Sequence, residues 1–144
     1  MRVLGLDIGD SMIGVAISDP LEIIAQGLSA IKRTNIRNDV ASIKNIIATH
    51  EIQKIIVGLP ITTNGKIGIQ AQKVMGFADL LKKESNLPVI MYDERFTTAI
   101  ADQALIEADM RREKRKKVID KVSAILILQG YLDKHPQNTK SRGA

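Results

Sequence analysis

The sequence predicts an α/β fold, a mixed five-stranded sheet flanked by helices, and three observations carry that reading. Residues 2–31 hold three apolar runs separated only by short turns, as in an antiparallel meander. Two later runs, Lys54–Pro60 and Pro88–Tyr92, are short and continuously apolar, as parallel strands covered on both faces should be. Between and after them, apolar residues recur at helical spacing. Strands in succession, then helices alternating with strands, give a mixed sheet with right-handed crossovers. The 144 residues suit one domain, expected over 1–134, with a polar, disordered tail over 135–144.

Each element has a local reason. In residues 2–8 alternation sets Val3, Gly5 and Asp7 on one face and Leu4, Leu6 and Ile8 on the other. Gly9-Asp10-Ser11 makes a turn, residues 12–19 run back, and Ile23–Ile31 forms the third strand. Thr34 or Asn35 caps a helix whose Ile36, Val40, Ile43 and Ile47 form one stripe. Pro60 ends the fourth strand. A polar loop over 61–68 leads into a helix to about Glu84, with Val74, Ala78 and Leu81 on one stripe and Asn86 as its C-terminal cap. The fifth strand closes on Asp93-Glu94-Arg95. Thr97 or Thr98 caps a helix through about Met110, and a last helix runs from Val118 to about Leu132. This order matches the ribonuclease H-like architecture, in which functional groups collect at the carboxyl ends of strands.

Composition excludes several chemistries. No cysteine is present, so there is no disulfide or thiolate metal site, and nothing points to secretion. His50 and His135 alone do not build a histidine zinc centre, which leaves hard cations on oxygen ligands. Aromatic residues make up 3%, too few for a base-stacking platform. No apolar run approaches a membrane span, and a cytoplasmic location is expected. Gly65-Lys66 is not a P-loop, because Pro60 and Ile67 occupy the places of its first glycine and its Ser/Thr. The net charge of +5 belongs wholly to Arg111–Lys121, which holds seven basic residues and two acidic ones. So local a positive field suits one surface facing a polyanion.

Three places offer carboxylates. Asp7 ends an apolar strand, where a charge is costly without a partner; Gly5 and Gly9 leave room beside it for a ligand, although a turn aspartate bonding the Gly9 backbone has the same sequence. Asp93 and Glu94 point to opposite faces, so only one of them joins Asp7 while the strand stays regular. Asp120 lies in an otherwise apolar helix, with Ser123, Ala124 and Ile127 on its side. It either offsets the basic run at the helix start or faces Asp7. Three converging carboxylates repel one another unless divalent cations intervene. Mg²⁺ or Mn²⁺ suits such oxygen ligands, and two ions about 3.5–4 Å apart support phosphodiester cleavage.

Asp7-Ile8-Gly9 with Ile13-Gly14-Val15-Ala16, Val57-Gly58-Leu59-Pro60, Gln70–Val74, Asp93–Thr98 and Ile119–Ala124 together resemble the YqgF/RuvX family. The motifs span essentially the whole chain in the family's order. The resemblance implies a ribonuclease H-like fold related to Holliday-junction resolvases, and a hydrolase that processes the 5′ end of the small-subunit ribosomal RNA precursor. It further implies that Asp7, Glu94 and Asp120 are the catalytic, metal-holding acids, with Asp93 the substitute for Glu94. One departure stands out: the family places a threonine and two basic residues where this chain has Asp10, Ser11 and Met12, which removes positive charge beside Asp7.

The expected partner is nucleic acid, with structured RNA favoured over branched DNA, and a monomer or homodimer fits. Arg111, Arg112, Lys114, Arg115, Lys116 and Lys117 are the candidate phosphate contacts. Arg95 joins them, unless it merely pairs with Asp93. Two other readings compete with a nuclease. A nucleic-acid-binding factor without catalysis would explain the altered turn, and an ATP-binding module would need a second domain for which the chain lacks length.

Overall fold

Two strands and a tight reversal open the chain. β1 (Arg2–Ile8) turns at Gly9–Ser11 into β2 (Met12–Ser18), and the Gly9 amide donates to the Met12 carbonyl at 2.9 Å. The computed structural model describes residues 1–61, 65–93 and 112–135, and of 112–120 the backbone alone. β3 (Ala25–Lys32) completes the meander. It begins at Ala25 rather than Ile23, because the Asp19 carboxylate accepts the amides of Leu21, Ile23 and Ile24 and holds that stretch as a loop. Partial burial pushes the Asp19 carboxyl up, but these amides outweigh it and bring it below its ordinary value.

α1 (Ile36–His50) is capped by Asn35, whose side chain accepts the Asn38 amide at 2.9 Å. Val40 and Ile43 are buried as their spacing predicts, whereas Ile36 stays 53% exposed in the first turn. β4 (Ile52–Leu59) starts two residues earlier than expected, because buried Ile52 pairs with Arg2 of β1. α2 (Ile69–Ser85) ends at Asn86 in the left-handed conformation, its amide bonded to the Lys82 carbonyl. β5 (Val89–Asp93) follows.

α3 (Arg112–Lys134) differs from expectation at its start. The helix is under way at Arg112, not Val118, so residues 112–117 belong to it rather than to a preceding loop. The reason is local: Arg, Lys and Glu are good helix formers and the run contains neither Gly nor Pro. At the other end His135, expected to open the tail, stacks on the Tyr131 ring with 4.2 Å between centroids. The helix expected between Thr97 and Met110, and the rest of the tail, lie outside the described residues.

The sheet order is β3-β2-β1-β4-β5, with β1 central, antiparallel to β2 and parallel to β4. Alternation gives each face its own core. Leu4, Leu6, Ile8, Ile13, Val15, Ile55 and Val57 pack with Val40 and Ile43 of α1 and with Val74, Phe77 and Leu81 of α2. Val3, Ala16 and Ile56 pack with Ala124, Ile127, Leu128 and Tyr131 of α3. Here Gly5 has a duty the sequence did not suggest. A Cβ on it would lie 2.7 Å from Leu128 Cβ and 3.3 Å from the Ala124 carbonyl oxygen, so its missing side chain admits the helix, not a ligand. Gly5→Ala should therefore lift α3 from the sheet and destabilise the domain by about 1–3 kcal/mol, read as an earlier urea midpoint with an unchanged m-value.

Candidate functional site

The site is built on the carboxyl end of β1. Val3 packs on α3, and a Cβ at Gly5 would strike α3, so alternation puts half-buried Asp7 on the α3 side as well. Asp7 pairs with Gly14 of β2, and Gly14 pairs with Ala30 of β3. On the other flank Leu6 pairs with Val57, so the next residue of β4, Gly58, continues that row, and Gly58 pairs with Tyr92. At its own level the carboxylate thus has a glycine on each neighbouring strand. Gly14 and Gly58 flank the carboxylate in register, whereas the space beside Gly5 is taken by α3. That signal was present in the Ile-Gly-Val-Ala and Val-Gly-Leu-Pro segments, but it needed the strand register to be read.

α3 runs antiparallel to β1 above this row. Lys54, paired with Val3 at the far end of the sheet, donates to the Tyr131 hydroxyl at 3.2 Å, whereas Ala124 and Leu128 sit over Gly5. Moving from Ala124 back one turn to position 120 covers about 6 Å of helix axis. Two residues along β1, from Gly5 to Asp7, cover about 6.6 Å. The backbone at position 120 therefore comes level with Asp7, on the stripe that continues through Ala124 and Leu128.

Of the other expected acids, Asp93 ends β5 exposed, in register with Leu59 and on the alternation face of Val89 and Met91. Those residues pack with α1 and α2, so Asp93 and Asp7 occupy opposite faces. Glu94, Arg95 and Arg111 lie outside the described residues, as do the side chains of Asp120, Arg112, Lys114, Arg115, Lys116 and Lys117. Among the described residues no three His, Asp or Glu side chains converge as a metal ligand set.

Whether this end of the sheet suits a cation is tested by its donors. The donor described there is an oxygen, the Asp7 carboxylate on the floor; elsewhere on α3 the Ser123 hydroxyl is fully buried and has no hydrogen-bond partner among the described residues. A carboxylate donor fits a hard divalent cation. An orphaned buried hydroxyl is costly, and Ser123→Ala should raise stability by about 1 kcal/mol. In a thermal melt that is a rise of about 2–4 °C; a fall would mean that the hydroxyl is bonded in the folded protein.

A family model described as "RuvX: Holliday junction resolvase" matches residues 1–134. The chain belongs to the RuvX family. A Clostridium tetani relative named "Putative pre-16S rRNA nuclease" is 55% identical over 133 residues, which are 92% of this chain and 96% of that one. A Clostridium acetobutylicum protein of the same name is 49% identical over 133 residues, 92% and 98% of the two chains. Among solved structures, T. thermophilus RuvC in complex with Holliday junction substrate matches with a TM-score of 0.61 at 15% identity, covering 95% of this chain and 97% of that one. The fowlpox virus Holliday junction resolvase matches at 0.57 and 16%, over 93% and 99%. These neighbours establish the RuvX chain's fold as ribonuclease H-like, as the order of its elements predicts. Among the described residues, no helix is long and apolar enough to cross a membrane.

Proposed function

We propose that this RuvX-family chain is a metal-dependent nuclease that hydrolyses phosphodiester bonds of structured RNA, with the 5′ end of pre-16S rRNA as its target. The observation that carries the reading is the glycine-flanked row at the end of β1, where Asp7 lies level with position 120 of α3. The relatives' names supply the substrate. RuvC-like resolvase nucleases generally use divalent metals. Asp7, Glu94 and Asp120 would hold Mg²⁺ or Mn²⁺ here, and Glu94 is preferred because Asp93 falls on the opposite face. Bound there, the cation supplies charge for an activated water and for the departing oxygen.

The chain's own groups have separate tasks. Asp7 holds its place because β1 is paired on both sides and the turn beyond it is closed by the Gly9–Met12 hydrogen bond. Gly14 and Gly58 leave a phosphate room to approach the carboxylate. The basic residues 111–117 and Arg95 draw the polyanion in by phosphate contacts, which position the substrate without reading its sequence. Binding should weaken steeply with salt, and replacing Lys116 and Lys117 with alanine should flatten that slope by about 2.

A second reading, cleavage of four-way DNA junctions, is favoured by the family description and by the likeness to RuvC. One experiment addresses both. Purified protein is given pre-16S RNA or a four-way junction, with Mn²⁺ or with chelator. Metal-dependent cleavage of the RNA is expected, and Asp7→Asn should slow it by at least about a hundredfold, as when one charge-stabilising group leaves a site. Cleavage of the junction alone would favour the second reading, and RNA cleavage that survives Asp7→Asn would overturn the acidic mechanism.

A further inference from the structure

The turn that follows Asp7 is held by an arginine from outside the site. Arg33, just past β3, meets this turn twice: its amide donates to the Ser11 carbonyl at 2.9 Å and its Nη1 donates to the Gly9 carbonyl at 2.9 Å. The other edge of the same guanidinium is fixed as well. Nε donates to Asp39 Oδ2 at 2.9 Å, and the guanidinium carbon lies 5.2 Å from the centre of the Phe77 ring of α2. Asp39 is itself anchored in the first turn of α1. Its side chain is 3% exposed, and its Oδ1 accepts the Thr34 amide at 3.2 Å.

We propose that Arg33 is a positioning residue for the acidic site, acting through the β1–β2 turn. The inference rests on Asp7 being a metal ligand. Asp10 and Ser11 are exposed and carry no positive charge, so the turn has little packing of its own to define it. The planar guanidinium is a rigid fork that ties the Gly9 carbonyl, two residues beyond Asp7, to a buried carboxylate on α1. Its donors Nε and Nη1 are committed to Asp39 and Gly9, which makes it a strut between α1 and the turn. Groups that orient metal ligands typically change metal affinity by about 10–100-fold when removed.

Lysine is the informative replacement. It keeps a positive charge for Asp39 but has no second, fixed edge for Gly9. Arg33→Lys should melt within a few degrees of the parent yet bind Mn²⁺ about tenfold more weakly, with binding read from the electron paramagnetic resonance of free Mn²⁺ and thus independent of cleavage. A second variant, Arg33→Met with Asp39→Leu, removes both charges together and leaves no buried ion unpaired. It should show the same weakened Mn²⁺ binding.

Asp7→Asn is measured alongside, so that the two ideas fail separately. Mn²⁺ binding lost in Asp7→Asn but intact in both Arg33 variants would overturn the strut alone. A lowered melting temperature with unchanged Mn²⁺ affinity would mark a purely structural role and overturn it too. Unchanged binding in Asp7→Asn would overturn the acidic site and, with it, the strut.

Discussion

Where α3 settles on the sheet is decided at Gly5, and much of the molecule follows from that contact. With no Cβ there, the Leu128 side chain and the Ala124 carbonyl come down onto β1. Leu128 is then fully buried, as are its neighbours Ile127 and Ala124. This contact fixes the level of every other residue on the helix. It brings the backbone at position 120 opposite the end of β1 and sends Tyr131 to the far end, where Lys54 meets its hydroxyl. A larger residue at Gly5 would disturb not only packing but also the alignment of a helix that carries one proposed ligand and most of the basic run.

The other half of the geometry is alternation. The side-chain period of two separates the duties of β1: Leu4, Leu6 and Ile8 serve the α1/α2 core, while Val3, Gly5 and Asp7 serve α3. A one-residue slip would bury the carboxylate among Val57 and Val74 and expose a leucine in its place. Such a slip is opposed on both edges, by antiparallel pairing with β2 and parallel pairing with β4. The chain also concentrates opposite charge nearby, since the helix that comes level with Asp7 begins in the basic run. Carboxylates gathered beside such a run, as proposed above, would let the site attract a polyanion and still hold cations against it.

Much of this was legible in the chain. The meander, both parallel strands, the Asn86 cap and a cap at Thr34 or Asn35, of which the structure uses Asn35, followed from turn residues and periodicity, and Asp7 stood out as a lone carboxylate at the end of an apolar strand. The start of β3 was not legible, because Asp19 bonds three amides and holds an apolar stretch out of the strand. Nor was the start of α3, expected at Val118 although the residue types before it favour helix. Gly5 looked like ligand space, and only the packed helix shows its use. Gly14 and Gly58 escaped notice because their meaning depends on register, and the Arg33–Asp39 pair because its partners come from four separate elements. Of the acids, Asp93 lies on the face opposite Asp7, whereas Glu94 and the Asp120 side chain lie outside the described residues.

On the function proposed above, the end of β1 is a metal site built on Asp7. Anomalous diffraction from crystals of the protein soaked in Mn²⁺ tests it most directly. The expected result is Mn²⁺ bound by the Asp7 carboxylate together with Glu94 and Asp120. Anomalous density absent from Asp7, with Mn²⁺ bound elsewhere on the chain, would contradict it.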